Sequence, residues 1–328
     1  MFGRICGTGS YTPDTVWDND KLAQMVDTND EWIRERTGVA RRHISEDETT
    51  SSMAAKAVQA ALADAGIDAG EVDLIIAATI SSEVIMPSLS CEVQAKVGAD
   101  HAFCFDLNAA CTGFVFALNT AQAYLSLGLY KTAVVIGAEC LSDLVDWEDR
   151  GTCILFGDGA GAVVLRAEEN VQYLQASHSD GARGQVLTCQ SRNQKKFEQH
   201  LGSEERNKEN YKDSYIQMDG GAVFKFAVSK VPEVIRELLS QEEIPTSDID
   251  YYLLHQANER IVRSVAKRLR EPIEKFPMNM EEYGNTSSAS IPILLDEMNK
   301  KGMLKRGQKL VLSGFGGGLT YGACLITW

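Results

Sequence analysis

Three residues of the types used in acyl chemistry stand at the ends of apolar segments: Cys111, His255 and Asn285. Cys111 follows "FCFDLNAA" and opens the stretch Thr112–Leu127, which is apolar on nearly every face. Such a stretch reads as a buried helix. A cysteine at its start meets free backbone N–H groups and the positive end of the helix dipole. These favour thiolate over thiol, so the position predicts a pKa below the free value of about 8.5. Small neighbours, Ala109, Ala110 and Gly113, leave room for an acyl chain or a second helix. A packed core thiol is the competing role. His255 ends the strand Tyr251–Leu254 and begins "HQAN", ahead of a helix over Glu259–Arg270. Ligands of α/β sheets gather at the carboxyl ends of strands. The other histidines, His43, His101, His178 and His200, lie in polar or loop contexts. Asn285 sits in "EYGNTSSAS" at the mouth of a helix that runs to about Lys301 before Gly302, where capping that helix is the alternative.

Two glycine-rich runs need the same scrutiny. In "SGFGGGLTYG" (Ser313–Gly322) no Lys-Ser/Thr follows, so a phosphate loop is excluded. Glycines 316–318 would let backbone N–H groups approach a substrate oxygen, as an oxyanion hole requires, or would make a tight turn between strands. "GDGAGA" (Gly157–Ala162) leads into a strand rather than a helix and is no dinucleotide fingerprint. Cys and His spacing suits no metal site.

The elements that must position these residues occur twice. At a constant offset of 177 residues, Ile67–Ala78 matches Ile244–His255, Leu107–Phe114 matches Gly284–Ile291 and Ala133–Ala138 matches Leu310–Phe315. Each copy reads as amphipathic helix (Ser51–Ala65 and Val223–Leu239), apolar strand, small-residue turn, apolar helix, strand. Strands alternating with helices imply parallel βαβ units. Two α/β halves related by a pseudo-twofold axis follow, residues 1–170 and 171–328, and they bring the Cys111 helix N-terminus to N-terminus with the Asn285 helix.

Composition bounds the rest. The 328 residues are 44% hydrophobic and 24% charged, with a net charge of −14, which argues against non-specific binding to nucleic acid or an anionic membrane. Eight cysteines, no CxxC pair and mostly apolar surroundings read as reduced thiols. No continuous apolar run follows Arg4, and Phe114–Leu127 is too short to span a bilayer. Cytoplasm is the expected compartment. Segment 190–213 is almost wholly polar and reads as a surface excursion, either a lid or a solvated loop. Arg260, Arg263, Lys267 and Arg270 form a basic stripe on the helix after His255, a solvated face or a seat for an acidic partner.

Taken together, "DTNDEWIRERTGVARRHI", "DLNAACTGF", "GDGAGAVVL", "LLHQAN", "YGNTSSASIP" and "GFGGGLTYGA" resemble β-ketoacyl-acyl carrier protein synthase III of the thiolase superfamily, from about residue 3 to the C-terminus. The resemblance implies an α/β thiolase-like fold of five layers, α-β-α-β-α, from two duplicated halves, and a homodimer. It implies decarboxylative condensation of an acyl-CoA primer with malonyl-acyl carrier protein, starting type II fatty-acid synthesis without a cofactor. Cys111 would be the nucleophile beside His255 and Asn285, with the N–H groups of Cys111 and Gly317 as the oxyanion hole. Trp32, Arg36 and Arg150 would hold the adenine and phosphate end of coenzyme A, and Phe224 and Asn258 would line the pantetheine tunnel. Arg260, Lys267 and Arg268 match a carrier-protein docking patch. Asn285 argues against thiolases, elongating synthases and hydroxymethylglutaryl-type synthases, which use a second cysteine, a second histidine and a glutamate. A related secondary-metabolite or polyketide starter enzyme shares Cys-His-Asn and is the alternative. The chain departs from the family at Met86, where an aromatic residue often reaches into the partner's acyl pocket. It departs also at Tyr321, where Trp is frequent, and in the length of segment 190–213.

Overall fold

The computed structural model describes residues 1–190 and 214–328. The polar excursion expected at 190–213 therefore lies, apart from Gln190, outside the described residues. The first half runs β1 (Phe2–Tyr11), β2 (Val16–Asp18), α1 (Asn19–Ala23), α2 (Asp30–Thr37), β3 (Arg41–His43), α3 (Thr50–Ala65), β4 (Leu74–Ala78) and α4 (Leu89–Val97). It continues through β5 (Phe103–Leu107), α5 (Gly113–Ser126), β6 (Thr132–Glu139) and β7 (Gly159–Glu168). The second half runs β8 (Tyr173–Ser179), β9 (Leu187–Thr188), β10 (Gln217–Met218), α6 (Gly220–Ser240), β11 (Tyr251–Leu254) and α7 (Glu259–Leu269). It closes with α8 (Met280–Tyr283), α9 (Ser290–Lys300), β12 (Lys309–Gly316) and β13 (Thr320–Thr327).

Two sheets dominate. The first has strand order β1-β7-β6-β4-β5 and the second β11-β12-β13-β8. Both are mixed: β4 pairs in parallel with β5 and β6, and β11 with β12, while β1–β7, β6–β7, β12–β13 and β8–β13 are antiparallel. Side chains alternate faces along a strand, and the alternation sets the layers. Leu74, Ile76 and Ala78 of β4 join Leu310 and Leu312 of β12 in one core, filled between the sheets by α5 (Phe114, Leu118) and α9 (Leu294, Leu295). Ile75 and Ala77 face the other way, onto Met53 and Val58 of α3. Tyr252 and Val311 face α6 and α7 through Val231, Ile235 and Val265. Helices, sheet, helices, sheet, helices: the fold has five layers.

The duplication is visible residue by residue. β4 and β11, β6 and β12, and α5 and α9 start 177 residues apart. So do two short 3-10 turns, Ala110–Thr112 before α5 and Ser287–Ala289 before α9, which touch each other at the centre. Their first residues, Ala110 (φ 45°) and Ser287 (φ 49°), share the left-handed conformation that non-glycine residues rarely take. One strained turn has been kept twice.

Candidate active site

The 3-10 turn corrects the sequence reading at its main point. Cys111 does not open an α-helix; it is the middle residue of the Ala110–Thr112 turn, and α5 begins at Gly113. The turn is pressed between the glycines of the other half and its own twin. A Cβ on Gly316 would lie 2.8 Å from Cys111 Cβ and 3.0 Å from its N, and one on Gly314 3.0 Å from Thr112 Cα. Only glycine allows β12 to come so close.

The electrostatics also differ from expectation. The sequence predicted a depressed thiol pKa, yet burial pushes Cys111 up to about 12, and a negative charge on Glu139 would act the same way. The Ser287 hydroxyl draws both Cys111 and Glu139 back toward ionisation, although it meets the geometry of a full hydrogen bond to neither. Desolvation outweighs a helix terminus that begins two residues away. Burial likewise holds His255 down to about 3, so its imidazole is neutral. The resting pair is thiol and imidazole, not an ion pair.

His255 follows β11, where its N–H bonds Ser313 O at 2.9 Å. Its Nδ1 lies 2.7 Å from Ser290 Oγ and its ring meets Phe315 edge-on at 5.2 Å, which fixes the ring plane and leaves Nε2 for the cavity. Ser290 can donate or accept, so either neutral tautomer is served. Asn285 is pinned through its backbone to Leu155 O (2.8 Å) and Gly157 N (3.1 Å). Its Oδ1 accepts from Ser287 N at 2.9 Å, which leaves the Nδ2 hydrogens as donors. Sequence reasoning missed Ser290, Ser287 and Phe315 as supports. Ser287 and Ser290 lie inside the quoted "YGNTSSASIP", but nothing in their spacing separated them from capping residues.

Cys111, His255, Asn285 and Gly317 line one cavity of about 1610 Å³ that also takes in Trp32, Arg36, Met86, Phe224, Asn258 and Arg260. Outside the regular elements, the backbone N–H groups of Cys111 and Gly317 donate to no backbone carbonyl among the described residues, and the Cys111 N–H lies toward its own sulfur. At the far end, the guanidinium carbons of Arg36 and Arg150 lie 4.4 and 4.8 Å from the Trp32 ring centre. Arg150 also donates to Asp27 O at 2.8 Å. The Asn258 amide is largely spent on structure: Oδ1 caps α7 through Arg260 N, and Nδ2 clips that helix to Arg36 O, both at 2.8 Å. Arg260 packs over Phe224 at 5.4 Å. Lys267 and Arg268 are exposed further along α7, away from the cavity lining, and Arg263 is bound to Glu259. Met86 lines the cavity yet is 84% exposed, with Ile85 beside it at 81%. No group of three or more His, Cys, Asp or Glu able to hold a metal ion occurs among the described residues. No described helix is long and apolar enough to cross a membrane.

Two family descriptions match parts of the chain. Residues 105–181 match the family described as 3-oxoacyl-[acyl-carrier-protein] synthase III, and residues 239–328 match its C-terminal part. The β-ketoacyl-[acyl-carrier-protein] synthase III of Clostridium acetobutylicum is 48% identical over 99% of this chain and 98% of its own length. The crystal structure of 3-oxoacyl-[acyl-carrier-protein] synthase III from Aquifex aeolicus superposes with a TM-score of 0.91 at 40% identity, covering 99% of this chain and 100% of that one. A priming β-ketosynthase of the R1128 polyketide biosynthetic pathway gives a TM-score of 0.91 at 34% identity, covering 99% and 96%.

Proposed function

The chain belongs to the 3-oxoacyl-[acyl-carrier-protein] synthase III family, and from that premise we propose that it condenses an acyl-CoA primer with malonyl-acyl carrier protein to start fatty-acid synthesis. The observation that carries the reading is the single cavity running from the Trp32–Arg36 end to Cys111, His255 and Asn285. Cys111 sulfur attacks the primer thioester while its proton passes to neutral His255, and coenzyme A leaves as the thiol. The N–H groups of Cys111 and Gly317 hold the tetrahedral oxygen. Malonyl-acyl carrier protein then loses CO₂. Neutral His255 and the Asn285 amide, both able to donate, stabilise the enolate that forms. Its carbon attacks the Cys111 thioester, and the sulfur departs as a thiolate that takes up a proton from solvent as 3-oxoacyl-acyl carrier protein is made. Loss of CO₂ drives the step, so the balanced reaction calls for no redox cofactor or metal.

The remaining assignments are parts of the same reading. Trp32, Arg36 and Arg150 form an aromatic and cationic mouth suited to adenine and phosphate. Phe224 and Asn258 line the way in. Arg260, Lys267 and Arg268, exposed on α7, give a carrier protein its seat. The chain works as a cytoplasmic homodimer: β5 is an edge strand of the first sheet, with Phe103 exposed beside Phe105, Tyr124 and Tyr130. In that dimer exposed Met86 reaches the partner's acyl pocket. The halves join near residue 170, between the last strand of the first sheet and the first of the second. The polyketide-priming alternative has the weaker support, since the polyketide-priming ketosynthase is 34% identical against 48% for the Clostridium acetobutylicum enzyme.

Intact-protein mass spectrometry after incubation with acetyl-CoA tests the reading. We expect one covalent acetyl group on the wild type and none on Cys111→Ala. An unmodified wild type, or an acetylated Cys111→Ala, would remove the nucleophile and the reaction with it.

A further inference from the structure

We propose that Glu139 is kept as a neutral carboxylic acid and acts as a positioning residue, its proton tying the end of β6 to the turn that holds Asn285. Counting hydrogens leads there. Three donors converge on Glu139 Oε2: Ser81 Oγ at 2.7 Å, Ile80 N at 3.0 Å and Thr79 Oγ1 at 3.2 Å. Each is free to donate, because Ser81 Oγ itself accepts from Cys140 N and Thr79 Oγ1 accepts from Ser81 N. The other oxygen, Oε1, lies 2.9 Å from Ser288 Oγ, which is also 2.9 Å from Ala78 O. A serine has one hydrogen and a carbonyl can only accept. If Ser288 gives its hydrogen to Ala78 O, then Oε1 must donate to Ser288, and Glu139 carries the proton. In that arrangement every contact is paired.

The surroundings favour the same state. Glu139 is fully buried, and no Lys, Arg or His is bonded to it among the described residues. Burial without a cation raises a carboxyl pKa, and Glu139 is shifted upward for that reason. Of the other ionisable groups, Cys111 faces it across the site, and Asp158, beyond Gly159 on the adjoining strand, is turned to Ser45 and Ser142.

Two consequences reach the chemistry. The Oε1–Ser288 link fixes the Ser287–Ala289 turn, whose first N–H orients the Asn285 amide. A neutral Glu139 also presents no negative charge to the sulfur as it ionises. Only this second, activity-related part rests on Cys111 being the nucleophile.

Infrared difference spectroscopy of the full-length protein at neutral pH tests the proton itself. Wild type minus Glu139→Gln is expected to show a deuterium-sensitive carbonyl band of a protonated carboxylic acid. Ser288→Ala, which removes the acceptor, is expected to move that band to higher frequency. A carboxylate band in the difference, or no movement in Ser288→Ala, overturns the proposal; the Ser288→Ala result decides alone should Glu139→Gln not fold. The activity arm follows acetylation of Cys111. Glu139→Ala is expected to slow it about tenfold or more, and Glu139→Gln, which reproduces both donor and acceptor, to restore it to within about threefold. A folded Glu139→Gln as slow as Glu139→Ala would refute the positioning role. An unacetylated wild type would instead refute the nucleophile and leave the infrared result standing.

Discussion

At the scale of single residues, the site works by withholding water from a thiol and an imidazole. Both stay neutral, Cys111 near 12 and His255 near 3, so in the proposed reaction the proton would move only when a thioester arrives to accept the electron pair. The neutral histidine has a measurable cost in acid. Below pH 6.5 the unfolded chain takes up a proton at His255 that the folded chain refuses until about pH 3. The unfolded state then binds more protons, and stability falls as pH falls through that window. Relative to His255→Asn, the wild type should lose about 1.4 kcal/mol per pH unit there, read by urea unfolding at several pH values. Equal pH slopes for the two proteins would mean that His255 titrates normally. Cys111, His255 and Asn285 stood out by their place beside apolar runs, but a packed thiol, a structural histidine and a helix cap fitted those places equally, and their proposed roles came from the family resemblance. Their protonation was not legible, because it depends on Ser287, Ser290, Phe315 and Gly316, which come from distant parts of the chain.

At the scale of elements, the duplicated strands were legible because strands buried on both faces read as unbroken apolar runs, such as "LIIAA" and "YYLL". The 3-10 turns were not. "NAACTGF" carries no signal that helix begins only at Gly113, since the turn is imposed by β12 and by its twin rather than by its own residues. That imposition gives a test. Gly316→Ala would put a methyl 2.8 Å from Cys111 Cβ, against backbone with little freedom to retreat. We expect a loss of about 1–3 kcal/mol in stability. Acetylation of Cys111 should slow by about tenfold or more, because a displacement of the turn misplaces the nucleophile. Normal acetylation in Gly316→Ala would show that the turn keeps its place without the glycine.

At the scale of the whole molecule, five layers bury one wall of the site in each half, and the edge strand β5 carries an aromatic face on which the proposed dimer would form. Phe103, 46% exposed, sits on that edge. A charge there should oppose pairing. Phe103→Asp is expected to weaken the dimer about tenfold or more in sedimentation, and a dimer as tight as wild type would place the interface elsewhere. Nothing in the sequence pattern marked β5 as an edge; that follows only from the strand order. The far end of the cavity has an optical consequence. The indole of Trp32 already lies under two guanidinium groups, and a purine entering the mouth must displace one of them to stack. Binding of coenzyme A should therefore dim the emission of this one tryptophan, and the dimming should vanish in Trp32→Phe. Were coenzyme A to bind there as proposed, the protein would carry its own lamp at the door, its brightness telling whether the door is occupied.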